Sequence, residues 1–220
     1  MNSGFDLCDA DPNAPFRDTL GNRLHTACSF DAAIAFVTKG GAEFVHERFL
    51  KKASAAERQK SRLCVSVHWP TDLDALCQLS PYLKDRLRIY LGPKTPQEKK
   101  GHSPLMHSKV ALTERQDGVL DIFVGSHNWT GTALDGVNME ASVHLFCDGN
   151  SPFAVSIKNH LDACNNDEDC VPFDPENLAY YKSLQRKLFP KMPESVPGTD
   201  VEGIQALPEL SAVVIHAEDF

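Results

Sequence analysis

Residues 106–143 read MHSKVALTERQDGVLDIFVGSHNWTGTALDGVNMEASV. Two strand-like runs, LMHSKVALTE and VLDIFVGSH, flank RQDG, in which Asp117-Gly118 is a strong hairpin signal. Side chains at i and i+2 of a strand share a face, so His107 and Lys109 project together. The returning strand ends in Gly125-Ser126-His127-Asn128, where Ser126 and Asn128 share a face and His127 alternates away from it. Imidazole, ammonium, hydroxyl and amide groups therefore converge from two adjacent strands. Asn138 and Glu140 repeat the i, i+2 spacing further on.

This set suits phosphoryl transfer. A neutral imidazole attacks phosphorus while lysine and amide donors hold the non-bridging oxygens as charge develops. Gly125 presents no side chain to crowd an incoming phosphate, and Glu140 is placed to sit behind a histidine and fix its tautomer. His107 also admits a plainer reading as a surface histidine on an edge strand. His68 and His144 read as ordinary histidines, and His102 as a loop residue within reach of a phosphate. Trp129 reads as an aromatic packed under a short helix sooner than as a base-stacking surface.

H-S-K, G-S-H-N and N-M-E together resemble the HKD signature of the phospholipase D superfamily. The opening FDAAIAFVTKGG with its helix is similar to the first βα unit of that fold, so the resemblance covers about two-thirds of the chain. It implies an α/β fold: a mixed, largely parallel sheet flanked by helices on both faces. It also implies a catalytic set of His107, Lys109, Ser126, Asn128 and Glu140, acting through a phosphohistidine with no cofactor and no metal. Members place two such motifs around one centre. This chain carries one, with no internal repeat, which implies a homodimer with a shared site. Members usually place an aspartate five residues beyond the lysine, whereas Glu114 stands there, and Asp117 and Asp121 are the alternatives. Single-motif nucleases of the restriction type are the more similar branch, implying DNA as substrate. A lipid hydrolase is the second enzyme reading. A dimeric nucleic-acid-binding subunit serving a helicase or ATPase in anti-phage defence is the reading from another class.

Upstream, FRDTLGNRLHTA reads as an amphipathic helix, FDAAIAFVT (30–38) as a buried strand, and Gly40-Gly41 as the opening of a long helix to about Gln59. RLCVSVH (62–68) and LRIYLG (87–92) are strands around a helix capped by Thr71 or Asp72. Strands alternating with helices imply βαβ units and parallel pairing. PKTPQEKKGHSP (93–104) reads as a mobile loop whose Lys94, Lys99 and Lys100 are solvated or touch nucleic-acid phosphates. Downstream come a strand at 138–147, a covering helix at 151–164 capped by Ser151, an acidic connector, and the short helix LAYYKSLQRKLF. The division expected is a catalytic domain at 1–165 and an acidic extension at 166–220. Past Lys191 that extension holds six acidic residues and no Lys or Arg, and its LSAVVIHA (210–217) suits a partner-binding arm.

The net charge of −8 lies wholly in the last third. Residues 1–147 hold 17 Lys/Arg against 17 Asp/Glu, and residues 148–220 hold 5 against 13. A catalytic region of zero net charge leaves room for a local basic cleft. The seven cysteines include no C-x-x-C pair, and no His/Cys/Asp cluster has metal-ligand spacing. A Cys164–Cys170 bridge is conceivable, but reduced thiols fit a cytoplasmic protein better. No apolar run approaches the roughly 20 residues of a membrane helix, and the N-terminus lacks a leader pattern, so a cytoplasmic location without membrane contact is expected.

Overall fold

The apolar runs around residues 30, 63 and 88 become adjacent strands of one sheet, the first two buried on nearly every residue and the third alternating buried and half-buried. A computed structural model describes residues 4–9, 15–92 and 105–190. The first half runs β1 (Gly4–Cys8), α1 (Phe16–Thr26), β2 (Ser29–Ile34), α2 (Lys39–Val45), α3 (Ala55–Lys60), β3 (Arg62–Ser66), α4 (Leu73–Leu83) and β4 (Leu87–Tyr90). The second half runs β5 (Lys109–Glu114), β6 (Val119–Gly125), α5 (Gly131–Leu134), β7 (Ser142–Asp148), α6 (Pro152–Asn166), β8 (Cys170–Pro172) and α7 (Leu178–Leu188). The loop at 93–104, with Lys94, Lys99, Lys100 and His102, and the segment 191–220 lie outside the described residues.

Among the described residues the strands form one mixed sheet in the order β1-β7-β6-β5-β2-β3-β4-β8. It is less parallel than expected: only β2–β3 and β3–β4 pair in parallel, and the other five pairs are antiparallel. Parallel pairing requires a crossover, which only the helices between β2 and β4 supply, whereas β5 and β6 join by the tight Arg115–Gly118 turn. Gly118 takes φ +80° there, as the Asp-Gly signal required.

Both sheet faces are covered. α1, α2, α4 and α7 pack one face through Leu20, Leu24, Phe44, Leu76, Leu79 and Tyr181. On the other face α6 sets Ala154 and Leu161 against Leu112, Leu120 and Ile122. Fully burying each such side chain contributes roughly 1.5–3 kcal/mol before conformational entropy is set against it. Toward the β1 edge the α6 face stays open, with Phe5 74% and Leu7 46% exposed.

The helix expected from Gly40 to Gln59 is two helices. α2 runs on as a π-helical turn, His46–Leu50, then breaks, and Ser54 starts α3 with a capping box. Ser54 Oγ accepts from Glu57 N at 3.2 Å, while the Glu57 carboxylate accepts from Ser54 N at 2.7 Å. The S-x-x-E pattern was present in the sequence. The acidic connector contains β8, which pairs with β4, and α7 docks through Gln185 Nε2, which donates to the Val67 and Thr71 carbonyls at 2.9 Å. Residues 170–188 are thus part of the sheet and core where an extension from 166 onward was expected. All seven cysteines are free, with Cys64 and Cys170 in thiol contact at 3.3 Å.

Candidate active site

β5 begins at Lys109, so His107 stands just ahead of the strand. The segment is pinned there because Ala35 N donates to Ser108 O at 2.7 Å and Lys109 lies opposite Ile34. His107 and Lys109 do come together: Lys109 Nζ donates to His107 Nε2 at 3.0 Å and to His107 O at 3.1 Å. Accepting a hydrogen bond from the ammonium requires Nε2 to be the unprotonated nitrogen of a neutral ring. His107 is exposed, with its ring edge-on to Phe36 at 5.9 Å. Burial pushes the Lys109 amine down to about 8, and the charge of Glu140 offsets part of that. Burial, then the charge of Lys109, hold the His107 imidazole below its ordinary value.

Asn128 closes the opposite side at the end of β6. Its Oδ1 accepts from Phe36 N at 3.1 Å, which fixes the amide and leaves Nδ2 without a hydrogen-bond partner among the described residues. Ser126 turns elsewhere: its Oγ accepts from Ala141 N at 3.0 Å and donates to Ala141 O at 3.3 Å, bracing the approach to β7. Glu140 precedes β7 instead of lying in a strand, and among the described residues it bonds no histidine. Its nearest hydrogen bond is a long one from Asn138 Nδ2 at 3.5 Å, so it acts on Lys109 through charge. Gly125 is small for a different reason than the one expected. A Cβ there would lie 2.5 Å from Ser142 Cα and overlap the Ala141 carbonyl, so β7 sets the requirement.

None of the three acidic alternatives bonds His107 or Lys109 among the described residues. Glu114 accepts from Ser29 Oγ at 3.0 Å, and Asp117 accepts from Val119 N at 3.1 Å within the hairpin. Asp121 is fully buried, paired with Arg115 at 2.6 Å and with His144 Nε2 at 2.8 Å. Burial opposes its charge, but the bonds from His144 and Arg115 and the charge of Arg23 outweigh burial and hold the carboxyl below its ordinary value.

His127 is buried between Asp9 Oδ2, 2.6 Å from Nε2, and Ser142 Oγ, 2.7 Å from Nδ1, and stacks on Phe16 at 3.9 Å. His144 is buried between Asp6 and Asp121, and His68 beside Ser66. Trp129 is 1% exposed and packs near Phe30, as expected for a core aromatic. The sequence reading missed Asp9, Phe36 and His160, whose Nε2 lies 2.9 Å from Ser108 Oγ and ties the motif to α6. Asp9 is 118 residues from His127, so no spacing rule reaches it.

No family model matches the sequence, and no curated protein matches it. Solved structures do. The phospholipase D family member Nuc from Salmonella typhimurium superposes with a TM-score of 0.51 at 15% identity, over 75% of this chain and 95% of that one. The chain has the phospholipase D fold. NucT from Helicobacter pylori superposes with a TM-score of 0.50 at 17% identity, over 78% of this chain and 99% of that one. In this phospholipase D fold the paired His107 and Lys109 sit at the carboxyl ends of the parallel strands β2 and β3, where open α/β sheets hold ligands. Identities this low carry the architecture. The chemistry has to be argued from the residues.

Proposed function

We propose that the protein is a metal-independent phosphodiesterase that cuts DNA through a phosphohistidine, in a site shared by two copies of the chain. The observation that carries this reading is the 3.0 Å contact of Lys109 Nζ with His107 Nε2, with the Asn128 amide held on the backbone of Phe36, whose ring meets His107 edge-on. A phosphodiester oxygen competes for the ammonium, and as Lys109 turns to it the Nε2 lone pair is freed for in-line attack. The N–P bond forms and the P–O ester bond breaks, and the leaving oxygen takes a proton from the imidazolium of a second copy's His107. That ring, now neutral, takes a proton from water, the hydroxide attacks phosphorus, and the N–P bond breaks. Lys109 and Asn128 Nδ2 hold the equatorial oxygens throughout.

The single-motif pattern, similar to nucleases of the restriction type, favours DNA over lipid. In this reading charge neutralisation falls to Lys109 and imidazolium. Supercoiled plasmid incubated with the protein in excess EDTA should therefore be nicked at the rate seen without EDTA. Strict dependence on Mg²⁺ or Mn²⁺ overturns the mechanism.

The two shifted groups set a pH profile. With His107 below its ordinary value the neutral nucleophile prevails at neutral pH, and with Lys109 at about 8 its charge is lost as pH rises through that value. On bis(p-nitrophenyl) phosphate, kcat/KM should fall above about pH 8. Lys109→Arg, whose guanidinium stays charged, should remove that alkaline limb. A limb that persists in the arginine variant would assign it to another group.

A further inference from the structure

A groove of about 800 Å³ lies away from His107, between α1, α2 with its π-helical turn, and α5. It starts where Gly40 meets Gly131, held by Thr38 N donating to Trp129 O at 3.0 Å and Gly131 N donating to Thr38 Oγ1 at 3.3 Å. Trp129 follows Asn128 directly, so the near end of the groove adjoins the catalytic loop. From Gly40 to Lys52 it follows the helix for roughly 18 Å, at 1.5 Å per residue.

The charges along it are unevenly paired. Each carboxylate in the lining has a cation: Asp135 pairs with Arg17, Glu43 with Lys39 at 3.8 Å, and Glu47 with Lys51 at 2.9 Å. Arg48 and Lys52, at the far end, have no carboxylate partner among the described residues. The Arg48 guanidinium is held over the Phe44 ring at 5.9 Å, and Lys52 Nζ touches His25 Nδ1. Burial and then the charge of Arg48 push the Lys52 amine down. Two neighbouring positive charges without a carboxylate among the described residues suit an anion. Phe44 also carries Arg17 at 5.7 Å, so a ring and two guanidinium planes line the path to that pair.

We infer that this groove holds the backbone of a single nucleic-acid strand, with Arg48 and Lys52 gripping a phosphate several nucleotides from the one cut at His107. The inference rests on the proposed phosphodiesterase reading for its substrate class. At 3.4 Å per nucleotide of stacked strand, roughly 18 Å of groove accommodates about five nucleotides. A diester too short to reach Arg48 gains nothing from the groove.

The test separates binding from chemistry. Arg48→Gln/Lys52→Gln keeps both aliphatic stems, and Lys52→Glu is an independent single change. Thermal melting of each checks the fold. In a His107→Ala background, anisotropy of a labelled 20-nucleotide single strand should show about tenfold weaker binding for the double variant. Its slope of log affinity against log salt should be smaller by about 0.7, one neutralised phosphate on a single strand. With His107 intact, hydrolysis of bis(p-nitrophenyl) phosphate should be unchanged while KM for the 20-mer rises about tenfold. Wild-type affinity and salt slope in the folded variants overturn the groove assignment. Wild-type protein that hydrolyses neither diester overturns the enzymatic reading, and the anisotropy arm then decides the groove by itself.

Discussion

If the proposed mechanism holds, His107→Ala should lower DNA cleavage by several orders of magnitude, because it removes the atom to which that mechanism transfers phosphorus and leaves only electrostatic stabilisation behind. The variant should fold, since His107 is exposed and its contacts are the Lys109 amine and the edge of Phe36. Residual activity of a tenth or more in the purified, folded variant would remove His107 as the nucleophile. The same variant tests whether the site is shared. Mixed in equal amount with wild-type chains, under verified subunit exchange, it should lower activity per wild-type chain to about half, since only wild-type pairs keep both histidines in a two-fold site. Unchanged activity per wild-type chain would make each chain complete alone.

Gly41→Ala should be the most damaging small substitution outside the site. A Cβ on Gly41 would overlap the Trp129 carbonyl oxygen and lie 2.5 Å from its carbonyl carbon. Both obstacles are backbone, so neither yields by changing rotamer, and α2 or the segment after β6 has to move. That segment is tied on both sides, with Trp129 N donating to Phe36 O at 3.1 Å and Asn128 Oδ1 accepting from Phe36 N. Overpacking against backbone at a fully buried crossing should cost about 3 kcal/mol or more, a fall in Tm of roughly 6–12 °C for a chain of this size. Gly40→Ala is the control. Its nearest obstacle is Gly131 Cα at 3.2 Å, which a shift of a few tenths of an ångström relieves. Equal melting temperatures for the two variants would mean that the α2 crossing is loose.

What could be read ahead of the structure follows sequence distance. His107 with Lys109, the turn at Gly118 and the caps Asp72 and Ser151 are local relations, set by strand alternation, by a positive φ, and by an oxygen three residues before a free N–H. The edge strands β1 and β8 escaped notice because strands of five and three residues on a sheet rim carry little apolar periodicity. The expected parallel sheet reflected the βα rhythm of residues 30–92, which stops at the β5–β6 hairpin. In the site, the motif named the residues better than their duties. Ser126 and Gly125 serve the crossing to β7, and Glu140 tunes Lys109 in place of a histidine, because which groups touch depends on where β7 starts.

Among the described residues β1 pairs only with β7, and its Asp6 meets His144 across 138 residues of chain. During synthesis the first strand therefore waits, unpartnered, until nearly the whole domain has left the ribosome, and loop closure over such a span is slow. Asp9, which clamps the histidine next to Asn128, arrives with it. The segment that carries Asn128 is thus clamped only after β7 has been made, so a nascent or truncated chain lacking β7 carries His107 and Lys109 without the Asp9 hold on His127.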